Sequence, residues 1–136
     1  VLKKIIFCVL TLAFLNADII VSADALPENI KQFIASNFNA QVGLVQQDSD
    51  EYEIYLSDGT ELEFDIVGNY KEIKNDMKPL SLSVLPINIA SIVQSQFSGA
   101  FLRKVKRKFS YYELEFSNSL EVKIDPNGTI LSQKFD

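Results

Sequence analysis

Tyr52-Glu53-Ile54-Tyr55-Leu56-Ser57-Asp58-Gly59-Thr60-Glu61-Leu62-Glu63-Phe64-Asp65 is a stretch in which apolar and polar residues take turns on both sides of a two-residue break. Successive side chains of a strand point to opposite faces. Tyr52, Ile54 and Leu56 therefore share a face with Leu62 and Phe64, and Glu53, Tyr55, Glu61, Glu63 and Asp65 share the other. Asp-Gly between two such runs is the signature of a tight hairpin. Clean alternation predicts an antiparallel sheet covered on one side only.

The same pattern returns at an offset of 60, where Tyr112-Glu113-Leu114-Glu115-Phe116-Ser117 is followed by Glu121-Val122-Lys123-Ile124-Asp125 and Gly128 answers Gly68. Upstream, at an offset of 59, Leu26-Pro27-Glu28-Asn29-Ile30 matches Leu85-Pro86-Ile87-Asn88-Ile89, and the match runs through Phe38 and Phe97 before one residue is inserted. Matched chemistry and matched turn residues in order indicate an internal duplication. In each copy the apolar residues first fall at three-and-four spacing (Ile30, Phe33, Ile34, Phe38; Ile89, Ile92, Val93, Phe97), which predicts a helix opened by Pro27 or Pro86. The period then changes to two. Strands are expected at Val42 to Gln47, Tyr70 to Ile73, Phe101 to Phe109 and Ile130 to Phe135, with a short edge strand at Ile19 to Ser22. Asn118-Ser119 and Asp125-Pro126-Asn127-Gly128 supply the second copy's turns. Asn75 to Ser83 has no periodicity and reads as the linker. The fold class is α+β: two tandem units, residues 18–78 and 79–136, each a helix followed by antiparallel strands.

Residues 1–17 have the layout of a secretory signal, with Lys3 and Lys4, an apolar run from Ile5 to Leu15 and a small residue at Ala17. The run is too short for a membrane span, which needs about 20 residues. Cleavage is expected after Ala17, with Ala23 as the alternative. Cys8 lies too early in the run, behind Phe7, to suit lipid attachment. The initial Val predicts an alternative start codon, hence a bacterial gene and a periplasmic or secreted product. Removing 17 of the 136 residues leaves 119 and takes two lysines with it, moving the formal charge from −5 to −7. That balance argues against nucleic acid and anionic membrane surfaces, which are bound through clustered Lys and Arg.

Histidine and tryptophan are absent, and the one cysteine goes with the signal, so the usual general base, thiol nucleophile and zinc ligands are missing. The carboxylates alternate with apolar residues, which places them on a wet sheet face and not in the burial that carboxylate catalysis requires. No catalytic residue, metal ligand or cofactor is assigned. Asp48, Asp50, Glu51 and Glu53, or Asp58 with Glu61, invite a calcium reading, but the helix–loop–helix calcium pattern lacks its glycine, and a solvated acidic hairpin is the simpler account. In the basic block from Phe101 to Phe109, Lys104, Lys106 and Lys108 are expected on one side, facing Glu113 and Glu115, in pairs worth about 0.2–1 kcal/mol each. An anion-binding strip stays open as the alternative.

The opening Leu-Pro of a helix, the Tyr-Glu strand, the glycine hairpin and the Phe-Asp or Ile-Asp strand with its Gly turn resemble the secreted PepSY-like family, itself similar in fold to the β-lactamase-inhibitor protein. The resemblance implies one continuous antiparallel sheet with both helices on one face and the other face open, and it carries no catalytic residues. The expected working surface is that open face, collecting Glu53, Tyr55, Glu61, Glu63, Tyr111, Glu113, Glu115 and Lys123. Its expected partner is another exported or envelope protein, bound by a non-catalytic and inhibitory module; the alternative is a small ligand or a cation.

Overall fold

The computed structural model describes residues 18–136. The expected signal segment and Cys8 lie outside the described residues. Among the described residues, nine strands form one antiparallel meander in chain order: β1 (Ile19–Val21), β2 (Val42–Gln47), β3 (Glu51–Leu56), β4 (Glu61–Asp65), β5 (Tyr70–Lys74), β6 (Leu102–Arg107), β7 (Tyr112–Phe116), β8 (Leu120–Ile124) and β9 (Ile130–Phe135). Two helices, α1 (Glu28–Asn37) and α2 (Ile87–Gln96), cover one face. Cleavage after Ala23 would remove β1, which pairs with β2 through Val21↔Val45.

Ten-residue helices are marginal on their own, so packing must hold them. Ile30 and Ile34 of α1 and Ile89 and Val93 of α2 are buried against Ile54, Leu62, Phe64, Leu114, Phe116, Val122 and Ile124 of the sheet. Each such side chain contributes roughly 1.5–3 kcal/mol. Phe33 meets Phe64 edge-on at 5.5 Å and Tyr70 at 5.5 Å; the second copy replaces this cluster with Ile92, Ile124 and Ile130 and stacks Phe97 on Phe116 at 5.4 Å.

The duplication extends to irregularities that alternation does not show. Register shifts fall between Val42 and Leu44 and again between Leu102 and Lys104, and between Glu63 and Phe64 and again between Lys123 and Ile124. Ser57 donates to Gln41 as Ser117 does to Phe101, at 2.8 Å each. The bulge corrects the expected strand from Phe101 to Phe109: it ends at Arg107, and the extra residue puts both Leu102 and Val105 in the core with Lys104 and Lys106 outside. Lys108 lies beyond the strand, in the hairpin tip.

The linker is pinned. The buried Asn75 amide donates to the Asp58 carbonyl (3.2 Å) and Thr60 Oγ1 (3.1 Å), and its oxygen accepts from Met77 and Lys78 (2.8 and 2.9 Å). Beyond it, Leu82–Val84 forms a 3-10 turn matching Ala23–Ala25 of the first copy, each capped by a serine, Ser81 or Ser22. The two units join where β5 pairs with β6, through Glu72↔Lys106, Ile73↔Val105 and Lys74↔Lys104.

Turn positions carry the backbone cost. Gly59 has φ 91, and its counterpart in the second copy is Ser119 at φ 68, a left-handed conformation that disfavours a Cβ. Gly68 has φ 109, and a Cβ there would overlap the Asn29 side-chain amide, which donates to the Val67 carbonyl at 3.1 Å. Opposite effects are expected in chemical denaturation: Ser119→Gly stabilises by about 0.5–1 kcal/mol, and Gly68→Ala destabilises by about 2–3 kcal/mol.

Candidate functional site

All eight residues expected on the open face are on it, half-buried among their neighbours. The face divides into two halves of different chemistry. In the first repeat Glu53, Tyr55, Glu61 and Glu63 line a shallow groove of about 270 Å³ with Glu72 and Lys74. In the second, Glu113 and Glu115 line a smaller depression of about 100 Å³ with Lys104, Lys106 and Glu121. Tyr111 and Lys123 are brought together beside it, the Lys123 Nζ lying 5.7 Å from the ring centre.

Charge is balanced in one half and not in the other. In the second repeat Lys104 pairs with Glu115 (3.6 Å), Lys123 with Glu113 (3.7 Å) and Lys134 with Glu121 (3.8 Å). The expected pairing of the basic strand is thus seen at Lys104, while Glu113 takes Lys123 on its other side. In the first repeat Lys71 holds Glu51 at 2.8 Å and Lys74 holds Glu61 at 3.0 Å. Hydrogen bonds to these carboxylates raise both lysine pKa values. Glu53, Glu63 and Glu72 have no ion-pair partner among the described residues. Burial, then the charges of Glu72, Glu51 and Glu53, push the Glu63 carboxyl above its ordinary value. Burial and Glu53, whose Oε2 accepts from the Tyr55 hydroxyl at 3.3 Å, raise the tyrosine's pKa too.

One carboxylate oxygen from each of Glu51, Glu53 and Glu63 lies within 4.8 Å of the others. Glu51 and Glu53 are two apart on β3, hence on one face, and Glu63 stands opposite Glu53 on β4. The corresponding residues of the second repeat are Tyr111, Glu113 and Lys123. Where the second copy places an ammonium opposite Glu113, the first places a third carboxylate opposite Glu53, and its own ammonium, Lys71, pairs with Glu51. Of the acidic residues that the sequence pattern offers for a calcium loop, Asp48 and Asp58 do something else: Asp48 Oδ1 accepts from the Asp50 and Glu51 amides at 2.8 and 2.9 Å, and Asp58 Oδ1 accepts from Thr60 at 2.9 Å, so both cap turns.

Glu72, Lys71 and Lys74 escaped the sequence reading as site residues. Alternation along β5 puts Glu72 and Lys74 on one side, but the register shift opposite Glu63 and Phe64 hides which side that is.

The chain matches the family model described as "Putative beta-lactamase-inhibitor-like, PepSY-like" twice, over residues 15–62 and 50–132. No curated protein matches it. Among solved structures it is similar to a "putative calcium-regulated periplasmic protein" from Bacteroides thetaiotaomicron, with 26% identity and TM-score 0.79 over 86% of this chain and 96% of that one. It is also similar to a periplasmic protein of unknown function from Bacteroides vulgatus, with 27% identity and TM-score 0.78 over 87% of this chain and 99% of that one. No helix among the described residues is long and apolar enough to cross a membrane. With the duplicated helix-and-strand unit, the covered sheet and a family match across both repeats, the chain belongs to the PepSY-like family.

Proposed function

We propose that the protein is a periplasmic or secreted binding module, without catalysis of its own, whose first repeat takes a divalent cation, calcium, at Glu51, Glu53 and Glu63. The observation that carries this reading is the substitution between the repeats, Glu51/Glu53/Glu63 against Tyr111/Glu113/Lys123. Three carboxylates gathered on two adjacent strands repel one another, Lys71 pairs with Glu51 alone, and a cation between the three would balance Glu53 and Glu63 as Lys123 balances Glu113 in the other copy. Calcium suits the site because it accepts six to eight oxygens in flexible geometry, which carboxylates and water can provide; magnesium demands a stricter octahedron. The similar Bacteroides thetaiotaomicron protein, described as calcium-regulated, lends further support. An open, solvent-washed site belongs with extracellular modules of Kd about 10⁻⁴–10⁻³ M. An absence of catalysis is supported by the missing histidine and by carboxylates that sit in an open groove.

A second reading, a protein partner on the same face, is favoured by Tyr55, a half-exposed ring in the wall of the groove. Tyrosine gives contact area at low entropic cost. Such a partner would be another exported or envelope protein, an enzyme inhibited by the module being the form the family description suggests.

Calorimetry and thermal melts test the cation reading. Calcium at a hundred times its Kd should stabilise by about 2.7 kcal/mol, and Glu63→Lys, which copies the second repeat, should abolish the response while leaving the protein folded. No heat and no shift with the parent protein would refute it. Without calcium, the raised Glu63 carboxyl costs stability above its folded pKa, and that cost fades as pH falls through this value toward the ordinary one. Glu63→Gln should therefore raise Tm at pH 7 by about 1–3 °C, a small gain because the groove is open to solvent, and leave it unchanged near pH 4. For the protein partner, Tyr55→Ala with Tyr111→Ala should lower recovery of any specifically captured envelope protein at least tenfold.

A further inference from the structure

The repeats diverge most sharply at one hairpin tip. Between β2 and β3 the tip is Asp48-Ser49-Asp50; between β6 and β7 the equivalent residues are Lys108-Phe109-Ser110. The backbone is kept, since Asp48 N donates to the Glu51 carbonyl (3.1 Å) as Lys108 N does to that of Tyr111 (2.8 Å). The first tip is capped by its own aspartate. The second gives up that cap and displays a fully exposed Phe109 behind Lys106, Arg107 and Lys108. Lys106 and Lys108 have no ion-pair partner among the described residues, and the Asp50 carboxylate has none either.

In an antiparallel meander both tips lie at the same end of the sheet, with the β4–β5 turn midway between them. That turn exposes Ile66 and Val67. The end of the molecule thus reads acidic tip, apolar turn, basic tip, with the outer two about 19 Å apart at four strand spacings. We propose that this end is a self-association surface whose occupant is a second copy of the chain. A two-fold axis along the sheet normal, through the β4–β5 turn, sets the acidic tip of each copy against the basic tip of the other and brings the two Val67 turns together. The contact is isologous and closes as a dimer. Phe109 then faces the second copy's Ser49, a small residue where the repeat could have carried a large one. The duplication is what makes the spacings match.

Contact through hairpin tips is small, so the dimer is weak and salt-sensitive. Sedimentation analysis of residues 18–136, which contain the core seen among the described residues, tests it over about 10–500 µM at low ionic strength, with EDTA present so that the cation site plays no part. The parent should dimerise reversibly, and less in high salt. Lys108→Asp, which restores the residue found in the first repeat, and Asp50→Lys should each weaken self-association at least tenfold. Mixed one to one, these two variants set an aspartate against a lysine at both tip-to-tip contacts and should form a heterodimer. The double variant should dimerise again. A parent monomeric throughout the range overturns the proposal, as does a dimer indifferent to both substitutions or a mixture that stays monomeric; a surface serving a membrane or another protein would give the last result.

Discussion

Ile73 and Val105, both fully buried and paired across β5 and β6, are the contact on which the rest of the molecule depends. Either repeat alone would leave a sheet edge open and a single ten-residue helix over too few strands. Pairing at this seam makes one sheet of two, and it lets the helices bury a common core. Asn75 holds the chain's return at the same place, tying the β3–β4 hairpin and the linker together, while its backbone N–H bonds the Arg103 carbonyl at 2.9 Å. The Tyr70 hydroxyl, bonded to the Val84 carbonyl at 2.9 Å, crosses from the last strand of one copy to the first turn of the next.

Because the helices claim one face completely, the other is left to polar residues, and duplication provides two versions of it. Selection on one copy is thereby freed from selection on the other. The second copy neutralises itself with three cross-strand lysines; the first keeps an excess of carboxylate. The same divergence separates the acidic and basic hairpin tips. Repeats that share a backbone but differ in charge act as controls for each other, since geometry is held nearly constant while chemistry changes.

Much of this was legible beforehand. Alternation from Tyr52 to Asp65 and from Tyr111 to Asp125 sorted every residue expected on the open face, because strand side chains must alternate and the apolar set must be buried. The Leu-Pro helix starts and the positive-φ turns at Gly59, Gly68 and Gly128 followed from local chemistry. Less legible was the strand from Phe101 to Phe109, where a bulge shifts the register and no residue type announces it. The linker from Asn75 to Ser83 lacks periodicity, and its order comes from the buried Asn75 amide and from buried Leu80, whose N–H bonds the Leu102 carbonyl at 2.9 Å.

What the sequence by itself determined is the repeat, the strand and helix periods and the sorting of residues into covered and open faces, all of which depend on spacing of a few residues. What only the tertiary structure decided is which open-face charges meet. Glu51 and Glu53 are brought to Glu63 by strand register, Glu72 joins them by way of a bulge, and Lys106 stands opposite Glu72 only through the seam between repeats. Carboxylates repel over a few ångströms, and distances of that size are set by pairing between strands far apart in the chain.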